Sequence, residues 1–207
     1  MTWIVMAGGE DVPILHPQNT ITLGSIAHGL AQINRFAGAT TRPYSVAEHS
    51  LLCADIAAEQ GHSPAVQLCC LLHDAHESVI GDVSTPVKIE LGIVWRTLEA
   101  RTQWRVLSYL GAAEAMRRYR TIVRAIDLVA LATERRDLTA YRPERNRMWP
   151  TLEKVRHIEI DLNRAWRAQS HWSEWRSKFI ASFEALEAQL PEWERYPTGA
   201  ATCEDAP

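Results

Sequence analysis

The segment from Leu68 to Lys88, LCCLLHDAHESVIGDVSTPVK, limits what this chain can fold into more than any other. An apolar run, Leu68 to Leu72, leads straight into His73, Asp74, His76 and Glu77. Ionisable groups at the end of an apolar helix are costly to bury unless something pairs them. A metal ion is the commonest partner for imidazoles and carboxylates gathered in one place. His73 and Glu77 are four residues apart, and Asp74 and Glu77 three apart, spacings that share a helix face. Gly81 and Asp82 mark a turn, and Thr85-Pro86 opens another helix.

The rest of the chain reads as helical partners for this segment. Two short β-prone runs, residues 2–6 and 12–15, flank a glycine turn and predict a hairpin, with Pro13 confining the second run to an edge. A polar loop, HPQNT, follows. Leu23, Ile26, Leu30 and Ile33 recur at helical spacing, and that helix is expected to run to Arg35–Gly38, with Gly38 as its stop. Ser45 and Glu48 match a capping box that starts a helix near Val46, ended by Gly61, with Glu48 serving the cap. Ser63-Pro64 caps a helix expected to continue unbroken to about Val79. A helix from about Val87 to Gly111 and a longer one from about Glu114 to Tyr141 follow. Residues 142–170 read as a loop with a short helix around Ile158–Trp166. A final amphipathic helix spans about 171–190, with Trp172, Trp175, Phe179, Phe183, Leu186 and Leu190 on one side.

These patterns predict an all-α helical bundle with a small N-terminal β-hairpin, a single domain over residues 1–195 and a disordered tail over 196–207. A 207-residue chain with 46% hydrophobic residues can bury a real core. The net charge of −3 offers no basic excess for stable nucleic-acid binding. No apolar run reaches the ~20 residues of a membrane span, and the N-terminus lacks a signal-peptide pattern. Cys53, Cys69 and Cys70 fall in apolar helical patterns, so buried free thiols and a cytoplasmic setting are expected. Most of the eight tryptophans lie after residue 95 and are expected to fill the core, and the apolar C-terminal helices predict self-association into a homo-oligomer.

Each candidate ligand also has a plain structural reading. A His-Asp pair arises often by chance, and His49 alone reads as a helix histidine. Asp127 sits between Ile126 and Leu128, in an otherwise apolar pattern where a carboxylate needs a partner. Asp82 after a glycine is a routine turn residue, Lys88 a routine exposed lysine, and Arg35 a favourable charge near a helix C-terminus. Arg42 is either a substrate contact or a loop salt bridge. His76 is a support for a ligand, an extra ligand, or solvent-facing; the last is preferred.

In combination, His49, then His73-Asp74, then Asp127 resembles the H…HD…D signature of the HD-domain superfamily of metal-dependent phosphohydrolases. Residues 44–50 (YSVAEHS) are similar to the family's first-histidine motif. Residues 73–77 (HDAHE), with Gly81-Asp82 and residues 85–88 (TPVK), resemble the bacterial 5'-deoxynucleotidases and their phage-encoded relatives. Residues 26–30 (IAHGL), 33–36 (INRF) and 131–138 (LATERRDL) are similar to the phage branch, which includes enzymes that remove deoxyadenosine triphosphate. The likeness covers roughly residues 3–140; residues 142–207 match nothing in it. Phe36 departs from the tryptophan of the bacterial nucleotidases, so their sugar selectivity does not carry over, and His76 replaces a small residue.

The resemblance implies that His49, His73, Asp74 and Asp127 bind a divalent metal (cobalt, zinc or manganese, with magnesium able to accompany substrate phosphates). It implies that Glu77 activates the attacking water, with Asp74 beside it. Arg35 is then expected to hold a phosphate, Phe36 to lie against the sugar, Asp82 to accept from the 3'-hydroxyl and Lys88 to reach a phosphate. The expected activity is hydrolysis of the 5'-phosphate ester of 2'-deoxynucleotides, mono- or triphosphates, in the cytoplasm, or in a host's cytoplasm for a phage-encoded protein. The alternatives are an HD-type phosphodiesterase or nuclease, and a non-catalytic nucleotide-binding regulatory domain.

Overall fold

The structure, a computed structural model, describes residues 2–14 and 21–191. Its architecture is all-α with one small two-stranded sheet, as the patterning predicts. Strands β1 (Trp3–Val5) and β2 (Asp11–Pro13) pair antiparallel, Ile4 opposite Val12. The HPQNT loop and the tail expected over 196–207 lie outside the described residues. Among the described residues no helix is long and apolar enough to cross a membrane.

Helix α1 (Leu23–Gln32) is capped by Thr22, whose hydroxyl accepts from the Ser25 N–H, and buries Ile26, Ala27 and Leu30. It stops earlier than the periodicity predicts. Ile33 and Asn34 are extended, because the chain pairs with residues 44–46: Arg35 N–H donates to the Tyr44 carbonyl and Val46 N–H to the Ile33 carbonyl. Strand-like pairing here displaces the last helical turn. Arg35–Gly38 then forms a separate tight turn in which Phe36 (φ 57°) and Ala37 (φ 51°) are left-handed.

Helix α2 (Val46–Glu59) begins at Ser45, whose hydroxyl accepts from the Glu48 N–H. Only that half of the expected capping box forms. The Glu48 carboxylate instead takes Arg42 at 2.7 and 2.8 Å and Arg167 at 2.9 Å, fully buried. Arg42 also donates to the Leu162 carbonyl, so it is a structural strut. Glu48 thereby fastens α2 to the C-terminal part of the chain.

Helix α3 (Pro64–Leu72) starts with proline at its first position and buries Val66, Leu68 and Cys69 to Leu72. It does not run unbroken to Val79. From Leu72 onward the hydrogen bonds shorten by one residue: Ala75 N–H to Leu72, Glu77 N–H to Asp74, Ser78 N–H to Ala75. This tightened turn leads into the short α4 (Glu77–Ile80), which Gly81 (φ 80°) ends. A three-residue repeat eclipses side chains at i and i+3, which sets Asp74 and Glu77 in register.

Helix α5 (Thr85–Tyr109) is interrupted at Gly92 (φ 58°, ψ −132°), a break the periodicity does not reveal. Its first half is peripheral, with Ile89, Ile93 and Val94 exposed. Helix α6 (Ala113–Leu138) buries Val123, Ile126 and Ala130 against α3 and α2. The short C-terminal helix lies later than expected, at α7 (Ala165–Gln169), preceded by a single turn at Pro150–Leu152. Helix α8 (Trp172–Ala188) packs on α1, α2 and α3 through Trp175, Phe179 and Phe183.

The apolar stripe of α8 is thus core of this chain. The exposed apolar side chains cluster on α5, at Val87, Ile89, Leu91, Ile93 and Val94, with Trp3, Val5, Met148 and Trp166 elsewhere. Among the described tryptophans Trp175 alone is buried; Trp166 is 46% exposed. The core expectation for tryptophan therefore holds fully for Trp175 and in part for Trp104 and Trp172, which pack half-buried against the core.

Candidate metal centre

Three elements aim their side chains at one point. His49 comes from the first turn of α2, His73 and Asp74 from the tightened turn after α3, and Asp127 from the middle of α6. The imidazole Nε2 atoms of His49 and His73 are 3.2 Å apart. Asp127 Oδ1 stands 3.3 Å from His49 Nε2 and 3.8 Å from His73 Nε2. Asp74 Oδ2 stands 3.1 Å from His73 Nε2 and 3.6 Å from His49 Nε2. All four expected ligands therefore converge.

The other ring nitrogen of each histidine is already held. His73 Nδ1 is 2.7 Å from the Cys70 carbonyl, which fixes that nitrogen as the protonated one. Gln103 Nε2 donates to the His73 carbonyl at 2.9 Å. His49 Nδ1 is 2.5 Å from Glu134 Oε1, and Tyr44 Oη donates to the same oxygen at 2.9 Å. A carboxylate behind an imidazole sets its tautomer and leaves Nε2 free to ligate, the usual support of a metal-bound histidine.

The electrostatics favour a cation. Burial would depress the His73 pKa, but the adjoining Asp74 charge and its hydrogen bond carry it up to about 10. His49 is raised as well, against burial and Arg35, by neighbours including Cys53, Glu134 and Asp127. Burial opposes ionisation of Asp74, yet His73, His49 and Arg35 hold it well below the usual carboxylate range. Carboxylates this close to paired imidazoles draw positive charge to the point between them. The donors also fit a borderline first-row metal: imidazole nitrogens and carboxylate oxygens at mutual distances near those around a zinc-sized ion.

Glu77 is buried at 3% exposure, and its Oε2 makes no hydrogen bond. Burial, with the charges of Asp74 and Asp82, pushes its carboxyl up to about 9 against Arg35 and Lys88. Lys88 Nζ lies 3.7 Å from Glu77 and 2.5 Å from Glu99, so it is engaged rather than free in solvent. Asp82 is half-buried, and burial raises its carboxyl too.

Arg35 lies across the rim. Its guanidinium reaches Asp74 at 3.4 Å and Glu134 at 3.3 Å, while its buried Nε makes no hydrogen bond. The left-handed Phe36 packs beneath that guanidinium and 6.3 Å from the Trp149 ring. Left-handed backbone at non-glycine residues costs about 1–3 kcal/mol and collects at functional sites.

His76 is not solvent-facing: it is 3% exposed. The tightened turn carries it inward, where its ring nitrogens make no hydrogen bond and Glu99 Oε1 stands 3.8 Å from Nε2. His76 and Lys88 together hold the Glu99 carboxyl down to about 2.

Two residues of the site escape a reading of the motifs alone. Glu134 lies seven residues after Asp127, two helical turns on the same face of α6. Cys53 lies four residues after His49, and its Sγ is 3.6 Å from His49 Nε2. Helical spacing from each ligand identifies both.

No protein-family model matches the chain. Over 104 residues it is 42% identical to an uncharacterized protein of Rhodobacter capsulatus, an alignment that covers 48% of this chain and 53% of the relative. The chain thus spans about half the length of that relative. Over 143 residues it is 32% identical to the uncharacterized protein YfdR of Escherichia coli, covering 69% of this chain and 74% of YfdR. At that identity and coverage, the chain belongs to the same family as YfdR.

Proposed function

We propose that this protein is an HD-type, metal-dependent phosphohydrolase that cleaves the 5'-phosphate ester of 2'-deoxynucleotides. The observation that carries the reading is the convergence of His49, His73, Asp74 and Asp127, with the imidazole Nε2 atoms 3.2 Å apart. A divalent metal held there supplies charge to the phosphoryl oxygens and acidity to a water molecule.

The chain's own residues do the rest. His49 and His73 present Nε2 because Glu134 and the Cys70 carbonyl hold the opposite nitrogens. Arg35 brings a fixed fork of donors, one of them unpaired, to the phosphate; its present partners are carboxylates that a phosphate oxygen can replace. Glu77 receives the proton of the attacking water. Burial raises its pKa most and the charges of Asp74 and Asp82 add to it, so a cation on Asp74 would cancel one of those charges and lower the carboxyl toward the range of a base. The water oxygen joins phosphorus, the bond from phosphorus to the 5' oxygen breaks, and that oxygen leaves with a proton. Asp82 and Lys88 border the nucleotide, and the Phe36 ring lies against the sugar.

The test is a panel of deoxy- and ribonucleoside mono-, di- and triphosphates with added cobalt, manganese, magnesium or zinc, products separated by chromatography. Deoxynucleoside with orthophosphate marks a nucleotidase; deoxynucleoside with triphosphate marks a triphosphohydrolase. A wild type that binds no metal and hydrolyses no nucleotide, like an Asp74→Ala control, sinks the reading.

A further inference from the structure

The metal pocket contains a fifth donor that the four-ligand set does not use. Cys53 follows His49 by one helical turn on α2, so both side chains leave the same face. It is 1% exposed and a free thiol. A buried cysteine is ordinarily a small core hydrophobe, but this one does not face apolar side chains alone. Its Sγ is 3.6 Å from His49 Nε2, and donor atoms of His49, Cys53, His73 and Asp127 all lie within 4.8 Å of one another.

The distances can be set against metal-bond lengths. With zinc bonds of about 2.0–2.1 Å to nitrogen and oxygen and about 2.3 Å to sulfur, tetrahedral N/N and N/O pairs stand about 3.3 Å apart and N/S pairs about 3.6 Å apart. Around His49 Nε2 the structure has His73 Nε2 at 3.2 Å, Asp127 Oδ1 at 3.3 Å and Cys53 Sγ at 3.6 Å. The three contacts to His49 match their element types, while His73 Nε2 to Asp127 Oδ1, at 3.8 Å, is wider than the about 3.3 Å of a tetrahedral N/O pair.

We propose that Cys53 is a thiolate ligand of the metal, and that it gives the site a preference for zinc or cobalt over manganese or magnesium. The proposal rests on the metal-dependent reading above. On binding, the S–H bond breaks, the proton passes to solvent and a sulfur–metal bond forms; no oxidation state changes. A soft sulfur donor among nitrogens and oxygens favours zinc and cobalt, whereas oxygen-seeking manganese and magnesium gain little from it. Asp74, 3.1 Å from His73 Nε2 and also shared with Arg35, stays in the set, with Cys53 as a fifth donor beside it.

The experiment is cobalt(II) titration of the full-length protein after removal of bound metal, with bound cobalt counted by elemental analysis. The expected result is one cobalt per chain with an intense near-ultraviolet sulfur-to-cobalt charge-transfer band. Cys53→Ser and Cys53→Ala keep the cobalt and lose the band, and their preference for zinc over manganese falls about tenfold or more. Bound cobalt with no band in the wild type, or a band that persists in both variants, overturns the role of Cys53 and leaves the phosphohydrolase reading standing. A wild type that binds no cobalt overturns both. X-ray absorption of the zinc-loaded wild type needs no variant: a sulfur scatterer at about 2.3 Å is expected, and a shell of nitrogen and oxygen alone refutes the ligand.

Discussion

Glu77 and Asp74 are three residues apart, yet their environments drive their carboxyls in opposite directions. Asp74 faces two imidazoles and Arg35, and stays ionised. Glu77 has burial and two carboxylates against it, and rises to about 9. Paired groups pushed apart in this way are a mark of acid–base sites. Replacing Glu77 by glutamine preserves shape and removes the base that the proposed hydrolysis requires. With metal content unchanged, turnover is expected to fall about 10²–10⁴-fold, read from initial rates on the preferred nucleotide. The same residue predicts a pH dependence of folding. Its folded pKa exceeds its ordinary value of 4.5, so between about 4.5 and about 9 the folded metal-free protein keeps a proton that the unfolded chain has lost. Stability contributed by Glu77 is therefore full below that window and falls as pH rises through it. Urea denaturation in chelator from pH 5 to 9 should show a steeper decline for wild type than for Glu77→Gln; parallel curves refute the raised pKa.

At the scale of elements, the site depends on joints between helices, and two of these can be probed without touching a ligand. The first is the turn at Arg35–Gly38, where Ala37 is left-handed at φ 51°. A left-handed conformation costs an L-residue about 1–2 kcal/mol, which glycine avoids. Ala37→Gly usually removes stability by loosening the unfolded chain; here the relief of strain offsets that loss. The urea midpoint is expected to stay level or rise, and a fall of more than about 1 kcal/mol contradicts the strain. The second joint is Glu48, which ties α2 to Arg42 and to Arg167 of α7. Removing one partner from a buried charge cluster leaves the others unpaired, at a cost of about 3–5 kcal/mol. Glu48→Ala should lower stability by about that amount in denaturant melts. Glu48→Gln, which still accepts from an arginine, should lose less. Equal losses would mean that packing, and not the charge, is what Glu48 contributes.

Over the whole molecule, what was legible in the sequence follows what periodicity can record. Helix starts at Ser45 and Ser63-Pro64, stops at Gly61 and Gly81, and the core stripe of α8 are local signals, and all are present in the fold. The four expected ligands could be paired because three short words carry them. Tertiary effects were not legible. The pairing of residues 33–35 with 44–46 cut α1 short, and the tightened turn after Leu72 buried His76. Arg167, from a segment that matched no motif, claimed Glu48 from its cap. The Glu48–Arg167 contact joins residues 119 apart, and the ligands come together where α2, the turn after α3, and α6 meet. A cation bound at that junction binds the folded chain and not the unfolded one, so it must stabilise the whole molecule. At free metal one hundred times the dissociation constant the gain is about 2.7 kcal/mol, which for a chain of this size raises the melting temperature by about 5–10 °C. Thermal scans of the metal-stripped protein with added zinc or cobalt should show that rise, and chelator should reverse it. Asp127→Ala removes a ligand that is also the ion-pair partner of His49 at 3.3 Å, so it should abolish the shift, each protein's own metal-free melting temperature serving as its baseline. An equal shift in wild type and Asp127→Ala would place the stabilising ion somewhere other than this pocket.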